Sequence, residues 1–174
     1  MPYSPFSTLP ALPTELWLQI LADVDVHDLW QNVRQTSTQL QHYADEVVLS
    51  TILPHTRLVT SLSLGAGSSH RWYDTTGTIH CSFISLDRGS EGERVVWRIV
   101  DITPATWSER ALARWSGVVG KPGLPVTDIF VNGQDVKLGR FRPGLLREEE
   151  RDRTVSCDWR KVLDVVLARS SQAK

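Results

Sequence analysis

The residues whose types could do chemistry in this chain are five histidines, two cysteines and a few grouped acids. His27, His42, His55, His70 and His80 are scattered, and no two share the i, i+4 spacing that sets two ligands on one helix face. His80 and Cys81 are neighbours, but neighbours on a strand point to opposite faces. Structural zinc needs a closed set of four ligands, and none is spelled here, so no metal site is expected. Paired carboxylates could serve as general acid and base. The candidates are Asp23 with Asp25, beside a helix end, and Glu148 to Glu150, inside a run of charges; both read as solvated. There is no Gly-x-Ser-x-Gly elbow and no Walker loop. Gly65-Ala66-Gly67 lacks the third glycine of a dinucleotide loop and opens no helix, so it reads as a turn. The expectation is a protein without catalytic residues or cofactors, and not an enzyme.

What remains is recognition. Seven tryptophans in 174 residues is high, and tryptophan favours packed cores and binding surfaces. Trp97 lies mid-strand and reads as core, and Trp159 as the anchor of a closing helix. Trp72 and Tyr73, beside Arg71 and after a Gly/Ser stretch, are the candidate contacts for a target. Lys and Arg number 19 against 20 Asp and Glu, so no positive excess draws a nucleic-acid backbone. Nucleic acid is therefore not an expected partner. Two thiols make no disulfide framework and suit a reducing compartment. The N-terminal residues do not read as a signal peptide, and no apolar run approaches the ~18 residues that would span a membrane. The expected setting is intracellular, cytoplasmic or nuclear, with no membrane partner.

The elements that must position these residues change character along the chain. Leu16, Trp17, Ile20, Leu21 and Val24 recur at helical spacing, behind Pro13 and Glu15. Asp25 to His27 reads as a turn, with Asp28 opening a second helix that carries Leu29, Trp30 and Val33. Thr36 or Ser37 caps a third, with Leu40, Tyr43, Ala44, Val47 and Val48 on one face. Strand signals follow: alternation over 58–64 and 79–83, a turn over Asp87 to Gly92, and a strand over 94–102 apolar on both faces. Trp107, Ala111, Leu112 and Trp115 fit a helix, with Thr106 and Glu109 placed for a capping box. Ile129 to Val131, Asn132-Gly133 and the strand at Val136 and Leu138 spell a hairpin. The charged run 147–153 reads as a solvated link, and 157–169 as an amphipathic closing helix. Helices, then strands, then a helix make an α+β chain.

The opening helices carry a further pattern. Leu12-Pro13-Thr14-Glu15-Leu16 is followed by Ile20-Leu21, Val24-Asp25, Asp28-Leu29, Arg34, Thr36-Ser37, Leu40 and Tyr43. Residues 9–53 resemble an F-box. Leu-Trp in the second helix and Asp158-Trp159-Arg160 near the end look like uncharacterised fungal F-box proteins in particular. The stretch from Leu29 to Ser37 runs one residue longer than the usual pattern.

The resemblance implies a three-helix F-box module at 9–53 that docks on a Skp-type adaptor of a cullin–RING ubiquitin ligase. Leu12, Pro13, Leu16, Ile20, Leu21, Leu29 and Val33 would form the adaptor-binding surface. An antiparallel β-rich domain at 58–174, closed by a C-terminal helix, would hold an unknown target protein. The alternative is a non-catalytic β-rich domain that binds a small ligand or glycan, with the helices as a structural cap.

Overall fold

The computed structural model describes residues 12–66, 74–89, 92–121, 126–131, 136–142, 145–149 and 153–170. It is mixed α+β, and it divides into two units, Met1–Val48 and Leu49–Lys174. No helix among the described residues is long and apolar enough to cross a membrane.

Among its described residues, the first unit holds three α-helices: α1 (Thr14–Ala22), α2 (Val26–Gln31) and α3 (Thr38–Val47). α2 starts two residues earlier than expected, at Val26, because the Asp25 carboxylate accepts from the backbone N–H groups of His27 and Asp28. The residues that read as a turn are therefore that helix's cap and first turn. Ser37 caps α3 by accepting from Leu40 N–H at 3.2 Å. Leu40, Tyr43, Ala44, Val47 and Val48 are buried, as the helical spacing indicates. Arg34, in the 3₁₀ turn Val33–Gln35, donates from Nε to Asp45 at 2.8 Å and lies 4.2 Å over the ring of Trp30. This one guanidinium ties the segment after α2 to α3.

Among its described residues, the second unit is built on an antiparallel sheet of seven strands. They are β1 (Thr56–Ala66), β2 (Asp74–Gly89), β3 (Gly92–Thr103), β4 (Thr127–Val131), β5 (Val136–Phe141), β6 (Arg147–Glu149) and β7 (Thr154–Asp158). Their spatial order is β5-β4-β1-β2-β3-β7-β6. Two helices, α4 (Ser108–Ser116) and α5 (Trp159–Ser170), complete it; α4 packs on β1, β2 and β3, and α5 on β5, β3 and β7.

Alternation sets the buried face. On β1, Thr56, Leu58, Thr60, Leu62 and Leu64 are buried, while Ser61 and Ser63 are exposed. Ile79 and Cys81 of β2, Val95 and Trp97 of β3, and Ile129 of β4 join them. Polar atoms on this face pair with one another: Trp97 Nε1 donates to Thr56 Oγ1 at 3.2 Å, Thr56 donates to Leu53 O at 2.7 Å, and Thr60 and Thr127 share a bond of 2.8 Å.

Several expectations are corrected. β3 is not covered on both faces: Arg98 is exposed and Val100 is 58% exposed. The segment 147–153 is not merely a solvated link, because Arg147–Glu149 pairs with β7 as an edge strand. β7 itself occupies Thr154–Asp158, so the closing helix begins at Trp159 rather than at 157. The strands on either side of 90–91 also run closer together than the expected turn, pairing Gly89 with Gly92. Trp107, not Thr106, stands at the N-cap of α4, without a side-chain bond, so the capping box does not form. Gly65 lies inside β1. β4 and β5 pair as expected of a hairpin, while Asn132-Gly133 lies outside the described residues.

Gly139 shows how closely α5 seats. A Cβ there would stand 2.6 Å from Val166 Cγ1 and 3.1 Å from Val166 O, and its φ is +155°. Gly139→Ala should lower stability by about 2 kcal/mol. Urea denaturation followed by circular dichroism should show an earlier midpoint with an unchanged slope.

Candidate functional site

The first helix is apolar over a wider arc than its own neighbours cover. Pro13 is its N-cap, and its carbonyl accepts from the N–H groups of Leu16 and Trp17 at 3.1 and 3.2 Å. Glu15 sits in the first turn, favourable to the helix dipole. One stripe, Thr14, Trp17 and Leu21, turns toward α3. Trp17 stacks on Tyr43 with centroids 6.4 Å apart and planes 19° from parallel, and Leu21 is buried. Gln39 Nε2 donates to the Tyr43 hydroxyl at 2.9 Å, and Thr14 Oγ1 lies 3.5 Å from it. These bonds favour the phenolate and hold the Tyr43 phenol below its usual value.

The neighbouring stripe turns outward. Leu12, Leu16 and Ile20, each four residues from the next, are 40%, 44% and 49% exposed, and Pro13 is exposed beside them. Leu16 and Ile20 share one face of α1, and Leu12 and Pro13 lead into it; large aliphatic side chains left in water in this way mark a protein interface.

The seven residues expected to form one surface therefore divide. Leu12, Pro13, Leu16 and Ile20 are exposed. Leu21 and Leu29 are buried, at 4% and 0% exposure, so their inclusion in that surface is corrected. Val33 is half-buried in the 3₁₀ turn. Trp72 and Tyr73 lie outside the described residues.

No family model, curated protein or solved structure matches the chain. Its chemistry must be read from its own side chains. Among the described residues, no three or more His, Cys, Asp or Glu side chains gather as a metal site would require. Both cysteines are free and buried, and burial pushes each thiol up to about 12; at Cys157 the carboxylate of Asp158 adds to the rise.

Those thiols make stability depend on pH in one direction. Near neutrality they are protonated in folded and unfolded chains alike. Between about pH 9 and 12 the unfolded chain loses their protons and the folded chain keeps them. Unfolding is then favoured by about 1.4 kcal/mol per thiol for each pH unit. Urea midpoints at pH 8 and pH 10 should show this fall, and Cys81→Ala with Cys157→Ala should flatten it.

Proposed function

We propose that the protein is a non-catalytic adaptor subunit of a cullin–RING ubiquitin ligase. The opening helices dock on a Skp-type adaptor, and the sheet domain holds a target protein. The observation that carries this reading is the exposure of Leu16 and Ile20 on α1, with Leu12 and Pro13 exposed just before it, where the F-box-like sequence begins. An apolar helix face of this kind suits a partner's groove, which it would fill with side chains at i and i+4. Leu21 and Leu29 support the surface from beneath rather than touching the partner. Arg34, clasped by Trp30 and Asp45, serves the same supporting purpose.

No specific observation favours the ligand- or glycan-binding alternative. The tryptophan content motivates it; among the described tryptophans Trp30, Trp97, Trp115 and Trp159 are buried, and Trp17 and Trp107 are half-buried.

Co-expression with a Skp-type adaptor and size-exclusion chromatography tests the proposal. The full chain should elute as a one-to-one complex, and Leu12→Ala with Pro13→Ala should reduce its yield. A folded chain that elutes alone at micromolar concentrations of both proteins sinks it.

A further inference from the structure

The charges of the chain are divided unevenly between its two units. Residues 1–48 hold six Asp and Glu against a single Lys or Arg, a net −5. Residues 49–174 hold 18 bases against 14 acids. The one base of the helical unit, Arg34, is already engaged by Asp45, 2.8 Å away, and by the ring of Trp30. No other Lys or Arg of that unit is present to balance the acids on its surface.

α1 sets where those acids stand relative to the apolar face. Trp17 stacks on Tyr43 and Leu21 is buried, which leaves Glu15, Leu16, Gln19, Ile20 and Asp23 exposed. At 3.6 residues per turn, Glu15 and Gln19 run along one flank of Leu16 and Ile20, and Asp23 closes the C-terminal end of the pair. Asp25, the cap of α2, and Asp28, in its first turn, follow in the sequence and are exposed.

Asp23 works against its own helix. It is the C-cap of α1, where the carbonyl end of the helix dipole disfavours an anion, and the last turn holds no basic residue to offset it. Among the described residues it forms no ion pair. A charge that lowers the stability of its own helix marks a place where recognition outweighs stability.

An exposed apolar helix face can meet a lipid surface or a protein groove. Helices that lie on lipid carry Lys and Arg along their polar flank, and a nucleic acid is met by a positive patch. The flank of α1 has the opposite sign, so a protein partner fits better than either. Electrostatic complementarity then fixes the chemistry of that partner.

We infer that the exposed face of α1 docks in a protein groove with an apolar floor and a rim of Lys and Arg side chains. Leu16 and Ile20 enter the floor. Glu15 on the flank and Asp23 at the end meet the rim. As the groove of a Skp-type adaptor it rests on the function proposed above. The peptide test uses no Skp-type protein, so either reading can fail without the other.

The probe is a fluorescein-labelled amphipathic helical peptide, a leucine stripe bordered by lysines, titrated into the full chain by fluorescence polarisation. Its positive charge disfavours the second unit, where bases outnumber acids. Binding should be saturable and should weaken as salt is raised. Leu16→Ser with Ile20→Ser should weaken it by about tenfold or more. Glu15→Gln with Asp23→Asn should weaken it by about fivefold or more. Asp23→Asn alone should weaken binding while the melting temperature holds or rises, because the anion leaves the C-terminal end of the helix. A purely structural role for Asp23 would move the two together. Equal affinity for a leucine–glutamate peptide, binding indifferent to salt, or full affinity in either double variant would overturn the inference. So would co-sedimentation of the chain with phosphatidylserine vesicles that is lost with Leu16→Ser and Ile20→Ser, which would reassign the face to a membrane.

Discussion

Trp97→Ala should cost the second unit about 4 kcal/mol, the largest loss expected from any single change described above. Trp97 is fully buried at the centre of the sheet, opposite Val155 on β7 and Phe83 on β2. Removing the indole leaves a cavity that a strand fixed on both sides cannot close. It also takes away the donor that Thr56 Oγ1 accepts. Trp97→Phe keeps most of the volume and should lose about half as much. Thermal unfolding should show a drop of ten degrees or more for alanine. A variant within about two degrees of the parent would mean that the sheet repacks and that the tryptophan is not its keystone.

The second large effect falls on association and leaves the fold intact. If the proposed docking holds, Leu16→Asp with Ile20→Asp should weaken capture of a Skp-type adaptor by about a hundredfold or more, because each change would set a carboxylate where the proposed apolar anchor would enter the partner. Both side chains are close to half exposed, so the melting temperature should hardly move. Leu21→Ala is the contrasting control. It is buried, so it should destabilise the helical unit by about 2–3 kcal/mol and impair capture only through unfolding. Isothermal titration alongside thermal melts separates the two behaviours. Unchanged affinity in the double aspartate variant would remove the basis for the docking surface.

The α+β class, the cap at Ser37 and the alternation of β1 were legible because each is a local signal. Ser37 stands directly before an apolar helical face, and Leu58, Leu62 and Leu64 share one parity. What was illegible depends on distant partners. Leu16, Ile20 and Leu21 belong to one apolar arc, and only Tyr43 on α3 decides that the side bearing Trp17 turns inward. β7 escaped because Thr154, Val155, Ser156 and Cys157 are all buried, which erases the period of two. Its cysteine therefore read as the start of the helix that follows. β3 read as covered on both faces because Ile99, Val100 and Ile102 are all aliphatic, and spacing alone does not disclose the bulge that turns Val100 outward.

The seating of α5 bears on how the protein is made. Val162, Leu163, Val166 and Leu167 are buried, and the helix reaches β5, a strand at the far edge of the sheet from β7. During synthesis the part of the sheet that α5 covers therefore waits for that helix, and its apolar side chains stay uncovered until the helix leaves the ribosome. The opening helices, which rely on contacts close in sequence, have no such delay.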